Sequence, residues 1–316
     1  MPVALVLSAG LGTRLRPLSW LRAKPALPVA GRSLIAHILG GLASHGVCEA
    51  IVNLHHRPET IAAAVGDGAA CGVRVRYSWE QPLLGSGGGP ARAFSLVEGD
   101  ELLVVNGDTL TDIDLRALCA SHAASDALVT MALIENPAPL KYGGVQLGSS
   151  GAVERFTRRG HAPAGWHFVG AQVARRAAFD GVPLDAPSES VAQIYPGLMT
   201  ARPGSVRGWV ARASFDDIGT PASYLDTCVR LSDRDPRRLI ESGAQVAEGA
   251  RLSNTVCWRD AVVEDDVELV SCVVCSGAVV ARGSRYHRSV LLPADAAPAG
   301  PHDYREGALT VSPIDA

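Results

Sequence analysis

The stretch from Ala4 to Pro25, ALVLSAGLGTRLRPLSWLRAKP, restricts what this chain can fold into more than any other. The unbroken apolar run Val3 to Leu7 predicts a strand buried on both faces. A turn of small residues follows, Ser8-Ala9-Gly10-Leu11-Gly12-Thr13, and then the cations Arg14, Arg16 and Lys24, the last beside Pro25. A strand, a glycine turn and fixed positive charge form a phosphate-holding arrangement. Glycines let backbone N–H groups approach the oxygens, and the cations neutralise them. Two commoner phosphate loops do not fit. Leu15 stands where a dinucleotide fingerprint needs its third glycine, and no acid ends the second apolar run, Ala50 to Leu54. No Gly-Lys-Ser/Thr follows at P-loop spacing.

The segment Gly10-Leu-Gly-Thr-Arg-Leu-Arg-Pro-Leu-Ser with Lys24-Pro25 resembles the signature of the sugar-1-phosphate nucleotidyltransferases, the nucleoside-diphosphate-sugar pyrophosphorylases, and within them mannose-1-phosphate guanylyltransferase-like chains. The resemblance extends over roughly residues 1–230. It implies an α/β fold, a doubly wound, mostly parallel, Rossmann-like sheet. The alternation of strands and helices along the chain points the same way. Helices are expected over Leu34 to Ala43, Thr60 to Val65, Leu115 to His122 and Ser188 to Met199, and strands over Ala50 to Leu54, Val73 to Tyr77, Leu128 to Ile134 and Val206 to Ala211.

Later segments carry the rest of the resemblance. Glu80-Gln-Pro-Leu-Leu-Gly-Ser-Gly-Gly-Gly-Pro follows the third strand, with Pro90 expected in the first turn of a helix. In the family this loop packs against the nucleobase, which makes Gly85 a nucleotide-binding candidate, with Glu80 first and Gln81 second as readers of the base edge. A carboxylate accepting two N–H bonds leans towards guanine, although a uracil imide also donates to it. The strand Leu102 to Val105 ends in Asn106-Gly107-Asp108, and Asp108 at such a tip faces the ligand crevice of an open α/β sheet. Phe215-Asp-Asp217-Ile-Gly-Thr220-Pro resembles the family's Asp-x-Gly-Thr, which makes Asp217 the second ligand of a Mg²⁺ ion shared with Asp108. Thr220 is available to cap the following helix in its place. Tyr142-Gly143 and the strand through Gly170 match segments that lie against the sugar. Where the family usually has Phe-x-Glu-Lys-Pro, this chain reads Phe156-Thr-Arg158-Arg159-Gly. Arg159 keeps the charge that meets the sugar phosphate, while Arg158 removes the acid that binds sugar hydroxyls and leaves the sugar open.

The resemblance implies in-line attack of a sugar-1-phosphate oxygen on the α-phosphorus of an NTP, GTP favoured, with pyrophosphate leaving. Ala9, Gly10, Gly12 and Thr13 would cradle the triphosphate with Arg14 and Asp108, and Arg14, Lys24 and Asp108 are the catalytic candidates. UTP- or dTTP-specific transfer and a non-catalytic nucleotide-sugar-binding homologue are the alternatives. An added acyl transfer is disfavoured, since His287 is the one histidine of the repeat region.

Beyond Pro236 the texture changes. Val246 and Leu252, then Val267, Val273 and Val279, suggest a six-residue period with a slip between Val262 and Val267. This predicts a short left-handed parallel β-helix of hexapeptide repeats, two to three coils long. The expected division is residues 1–232 for the transferase domain, 240–292 for the β-helix and 293–316 for a poorly packed tail. A hydrophobic content of 47% supports a sizeable core, and a net charge of −3 gives no reason to expect nucleic acid or an anionic membrane as partner. Seven scattered cysteines suit reduced thiols in a cytoplasmic protein, and Cys272-x-x-Cys275 lacks the second pair a zinc site needs. The apolar β-helix is expected to support a homo-oligomer.

Overall fold

A computed structural model describes residues 1–161, 163 and 165–314, so the last two residues of the expected tail lie outside the described residues. The chain packs into two units that are not contiguous in sequence. One comprises residues 1–10, 35–58 and 65–216, the other residues 11–34, 59–64 and 217–316. The second half of the signature stretch thus belongs with the C-terminal region, a grouping that differs from the expected cut near residue 232.

The first unit is built on a nine-stranded sheet. Its strands are β1 (Val3–Leu7), β2 (Glu49–Leu54), β3 (Arg74–Trp79), β4 (Glu101–Asn106), β5 (Val129–Glu135), β6 (Gly144–Leu147), β7 (Val153–Thr157), β8 (Trp166–Arg175) and β9 (Val206–Val210). The hydrogen-bonded path runs β7-β6-β8-β4-β1-β2-β3, with β5 pairing with both β8 and β9. The run β4-β1-β2-β3 is parallel, and β8 joins it antiparallel along β4. The inner parallel strands β1, β2 and β4 are largely apolar because both faces are covered, whereas the edge strand β3 exposes Arg74 and Arg76. Leu5, Ile51, Leu102 and Val104 have essentially no exposure and share one core with Val129, Met131, Leu133 and Tyr195. The helices α1 (Leu34–Ser44), α2 (Pro58–Val65), α3 (Gly85–Phe94), α4 (Leu115–Ala123) and α5 (Tyr195–Ala201) follow the strands, and α1, α2 and α4 lie where the apolar spacing places them, to within two residues. α5 starts at Tyr195 rather than Ser188, after a wider π-helical turn over Ser190–Ile194. The start of α3 differs as well. α3 begins at Gly85, so Pro90 sits inside the helix rather than in its first turn. The glycines are the reason: a Cβ on Gly85 or Gly87 would come within 3 Å of the 188–194 segment, against which this early turn packs, and the Gly87 and Gly88 N–H groups donate to Ser188 O at 2.8 and 3.3 Å.

In the second unit, α6 (Pro221–Leu231) leads to a three-sided parallel β-helix. Gln245 pairs with Val262 and Val262 with Val279, so one coil takes 17 residues. Two sides have six residues and one has five. A strict six-residue period therefore drifts out of phase by one residue per coil, and a residue assigned on it flips from inside to outside. Val279 illustrates the correction: expected inside, it is 45% exposed, and its neighbour Val280 is buried. The inward ladder is Val263, Leu269, Val274, Val280 and Leu291, each at most 2% exposed. Burial of each such aliphatic contributes about 1.5–3 kcal/mol.

The tail is not poorly packed. Leu309–Pro313 pairs antiparallel with Ser289–Pro293 of the last coil, and Tyr304–Glu306 extends that sheet. Leu309 and Val311, two residues apart, turn the same way and are buried in the β-helix core. The Ala/Pro/Gly-rich stretch before them conceals this alternation in the sequence. Cys272 and Cys275 are also buried, and burial pushes both thiols above their ordinary range, so they behave as packing residues.

Candidate active site

In the first unit, the C-terminal tips of the parallel strands come together. Beyond β1, the Ser8 N–H donates to Asn53 Oδ1 at the end of β2. Asn53 Nδ2 donates at 2.7 Å to Glu80 Oε1, and Glu80 Oε2 accepts the Leu84 N–H at 2.9 Å. Glu80 is 3% exposed, and its carboxylate braces the glycine loop and the first turn from beneath. Gln81 beside it is exposed. Both carboxylate oxygens of Glu80 are thus engaged by the protein, and Gln81 presents the solvent-facing amide.

β4 ends beside the same turn. Gly107 N–H donates to Leu7 O at 2.9 Å, and a Cβ on Gly107 would lie 2.6 Å from that oxygen and 2.7 Å from Ser8 Oγ. Only glycine lets the two strand tips approach this closely. Asp108 follows, half-buried, with its Oδ1 accepting from Thr109 Oγ1 at 3.1 Å. Gly170 sits where the β8 register shifts, at φ 81°, with a Cβ position 2.5 Å from Asn106 Nδ2. Ala9 is buried, whereas Gly10 is exposed and a Cβ there would meet no protein atom within 4 Å. The open side of Gly10 is the space into which its backbone can admit a ligand.

Farther along the sheet, a Cβ on Gly143 would come 2.8 Å from Thr157 O, so the β6–β7 hairpin itself requires this glycine. Arg158 and Arg159 are exposed at the end of β7. Tyr142, His167 and Phe215 form an aromatic group, with ring centroids 4.6 Å (Tyr142–His167) and 4.4 Å (His167–Phe215) apart. Sequence reasoning did not single out this group, whose members lie far apart in the chain.

In the second unit, the cations and the distal acid gather. Gly12 adopts φ 60°, and Thr13–Leu15 forms a single tight turn. Ser19 Oγ donates to Gly12 O at 2.8 Å and locks that turn. Thr13 and Arg14 are exposed. Lys24 is 8% exposed, and its Nζ is 3.9 Å from Asp217 Oδ1. Above Gly219, a Cβ would lie 3.2 Å from Asp217 Oδ2 and 3.3 Å from Arg14 Nη1, so Arg14 and Asp217 flank Gly219 while Lys24 lies against the other oxygen of Asp217. Asp217 does not cap α6. Thr220 does: its Oγ1 accepts the Ser223 N–H at 3.2 Å, and Ser223 Oγ accepts the Thr220 N–H at 2.9 Å. Arg14 and Arg16 also line a cavity of about 690 Å³ with Trp20, over whose ring Arg16 lies at 4.0 Å.

Asp108 and Asp217 are hard oxygen donors and suit Mg²⁺, which commonly takes one or two carboxylates and completes its shell with water and substrate phosphate. Among the described residues no group of three or more His, Cys, Asp or Glu side chains could hold a metal by itself.

Comparison with known proteins places the chain in a family. The profile of the family described as "Nucleotidyl transferase" matches residues 3–233. The chain belongs to that family. It is 30% identical over 292 residues to a mannose-1-phosphate guanylyltransferase of Mycobacterium tuberculosis, covering 89% of this chain and 81% of that protein. It is 36% identical over 221 residues to an N-acetylmuramate alpha-1-phosphate uridylyltransferase of Neisseria meningitidis, covering 69% and 93%. Among solved structures, HddC from Yersinia pseudotuberculosis, complexed with GMP-PN, superposes with a TM-score of 0.64 at 23% identity, covering 73% of this chain and all of that one. That last likeness is one of fold.

Two residues that brace the site were not singled out from the sequence. Asn53 stands at the end of the second apolar run, where a dinucleotide fold would carry an acid, and a lone polar residue closing a buried strand was its only signal. Ser19 had none, since its role depends on the fold of the turn around it.

Proposed function

We propose that this nucleotidyltransferase joins an NTP to a sugar-1-phosphate, releasing pyrophosphate and giving an NDP-sugar. The observation that carries the reading is that Arg14 and Asp217 meet beside Gly219 and Lys24 approaches Asp217 at 3.9 Å, in the region where the signature stretch predicts phosphates. The turn amides from Ala9 to Thr13 cradle the triphosphate. Arg14 offsets charge on the departing pyrophosphate, and Lys24 holds phosphate at the reacting centre. Asp108 and Asp217 are the residues that would hold Mg²⁺, which would supply further neutralisation of the phosphate oxygens. Gly143, Arg159 and Gly170 meet the sugar phosphate side. No protein nucleophile is needed, because the attacking phosphate oxygen is already anionic.

GTP is favoured by the guanylyltransferase relative, and a mannose- or heptose-like phosphate by that protein and by a D-glycero-alpha-D-manno-heptose 1-phosphate guanylyltransferase of Aneurinibacillus thermoaerophilus, 28% identical over 221 residues. UTP is the second reading, and the Glu80 geometry is equally compatible with it. With that carboxylate engaged by Asn53 and Leu84, the base edge falls to the Gln81 amide, which can both donate and accept and so suits uracil as well as guanine. Among the described residues no helix is long and apolar enough to cross a membrane, and the reaction is assigned to the cytoplasm, where NTPs are available. A homo-oligomer built through the β-helix is part of the same proposal; light scattering that shows a monomer at working concentration removes it.

The test is pyrophosphate release from Mg²⁺, each NTP and a panel of sugar-1-phosphates. Turnover with one pair and a loss of roughly 10²–10³-fold in Asp108→Ala or Lys24→Ala support the assignment, in the range of one preorganised electrostatic contact. Wild-type turnover in Asp108→Ala refutes it.

A further inference from the structure

Lys24 is held in place from an unexpected direction. Two residues before it, Arg22 reaches into the β-helix. Its Nη1 donates to both carboxylate oxygens of Glu241, at 3.1 and 2.9 Å, and its Nη2 donates to Ser276 Oγ at 2.9 Å. The guanidinium lies 4.8 Å from the ring centre of Trp258. One guanidinium nitrogen is shared between both carboxylate oxygens, the other bonds Ser276, and Trp258 forms an aromatic floor, at 18% and 22% side-chain exposure for Arg22 and Glu241. It is not a lone surface ion pair.

The partners of Arg22 are themselves fixed. Glu241 Oε2 also accepts the Arg259 N–H at 2.8 Å. Trp258 is fully buried, and its Nε1 donates at 3.0 Å to the hydroxyl of Tyr224 on α6, also fully buried. That hydroxyl donates in turn to Pro28 O at 2.6 Å, four residues beyond Lys24. On the other side, Ala23 N–H donates to Thr60 Oγ1 at 3.1 Å. The short segment carrying Lys24 is therefore anchored before it by Arg22, behind it through Pro28, and laterally by Thr60. Two of these three anchors end in the β-helix.

We propose that Arg22 is a positioning residue for Lys24, and that the first two coils of the β-helix serve the transfer reaction through Glu241, Trp258 and Ser276. The proposal rests on the reading that Lys24 holds phosphate at the reacting centre. A long, flexible lysine contributes to rate only when its backbone is fixed, and a displacement of 1 Å at a positioned group can cost as much as 10²-fold. Arg22 touches no reacting atom, so its loss acts on kcat with substrate binding largely preserved.

The experiment is a double-mutant cycle on the full chain, with kcat and both KM values read from pyrophosphate release. Arg22→Ala is expected to lower kcat about 10- to 100-fold with KM for NTP and sugar-1-phosphate changed less than about 3-fold. Arg22→Lys, which keeps the charge and loses the fork, is expected to recover part of that rate. In the Lys24→Ala background, Arg22→Ala is expected to cost less than about 2-fold, since the group it positions has gone. Glu241→Gln retains volume and one acceptor, is expected to lose activity to a smaller degree, and serves as the second probe should Arg22→Ala fail to fold. An equal loss from Arg22→Ala with and without Lys24 overturns the proposal, as does an unchanged kcat in both Arg22→Ala and Glu241→Gln. Wild-type turnover in Lys24→Ala overturns the role of Lys24 itself and this proposal with it, which distinguishes the two failures.

Discussion

Substituting two glycines of the strand tips separates what the fold needs from what the ligand needs. An alanine methyl on Gly107 would stand 2.6 Å from Leu7 O and 2.7 Å from Ser8 Oγ, both inside the 3.0 Å that real Cβ atoms respect. Leu7 ends a central strand hydrogen-bonded along both edges, to β2 and β4, so its oxygen has little room to yield. Gly107 must shift instead, straining its own 2.9 Å bond to that oxygen and carrying Asp108 with it. Overpacking of this kind costs about 1–3 kcal/mol, and a weakened backbone hydrogen bond adds about 1 kcal/mol. We expect Gly107→Ala to lose about 2–4 kcal/mol in urea unfolding and about 10- to 100-fold in kcat, the latter from a displaced Asp108. Gly10→Ala is the contrast. Its methyl meets no protein atom within 4 Å, and Gly10 is not among the positive-φ glycines. Its unfolding free energy should stay within about 0.5 kcal/mol of wild type, while the methyl intrudes where the triphosphate approaches and raises KM for NTP about 10-fold. Urea titration and pyrophosphate-release kinetics on both variants decide the matter. A Gly107→Ala protein equal to wild type in both measures, or a Gly10→Ala protein that loses stability but keeps its KM, refutes the reasoning.

Two further outcomes follow from buried groups. Glu80→Ala leaves the Asn53 amide and the Leu84 N–H without their acceptor and should destabilise the fold by about 2–4 kcal/mol, whereas Gln81→Ala should leave thermal stability unchanged and alter the preference between GTP and UTP in direct competition; the reverse pattern would restore Glu80 as the base reader. His122 is fully buried, with Nδ1 bonded to Thr130 Oγ1 at 2.7 Å, and burial holds its imidazole below the ordinary value despite the nearby Glu101. Its folded state prefers the neutral ring, so its contribution is fully present above the unfolded pKa of about 6.5 and is lost as pH falls below it. Melting temperatures between pH 8 and pH 5.5 should fall less steeply for His122→Gln than for wild type, and parallel slopes would show that His122 is not the source.

The parts of this protein that the sequence made legible are those whose chemistry is local. The first turn could be read because amides, glycines and cations follow one another along 22 residues, and strand-then-Asn-Gly-Asp could be read because the acid stands at the end of its own apolar run. The reading went astray where packing from elsewhere decides. Glu80 reads in sequence as a base-edge residue, and nothing local announces that Asn53, 27 residues away, also engages one of its oxygens. Pro90 looked like a helix start until the 188–194 segment demanded glycines one turn earlier. The β-helix shows the same limit in its purest form. A six-residue period identifies the architecture, yet the coil of 17 residues includes one five-residue side, and a single residue of phase puts Val279 in solvent and Val280 in the core. The tail was misread for the opposite reason: its composition is that of a loop, but two inward residues, Leu309 and Val311, suffice to close the last coil once Ser289–Pro293 offers an open edge. Arg22 belongs to this class as well. In sequence it is one more cation between a tryptophan helix and Lys24, and its partners lie 219 and 254 residues downstream. A charge committed to a distant module ties the segment carrying Lys24 to the β-helix by geometry, and this is why removing one should be felt at the other.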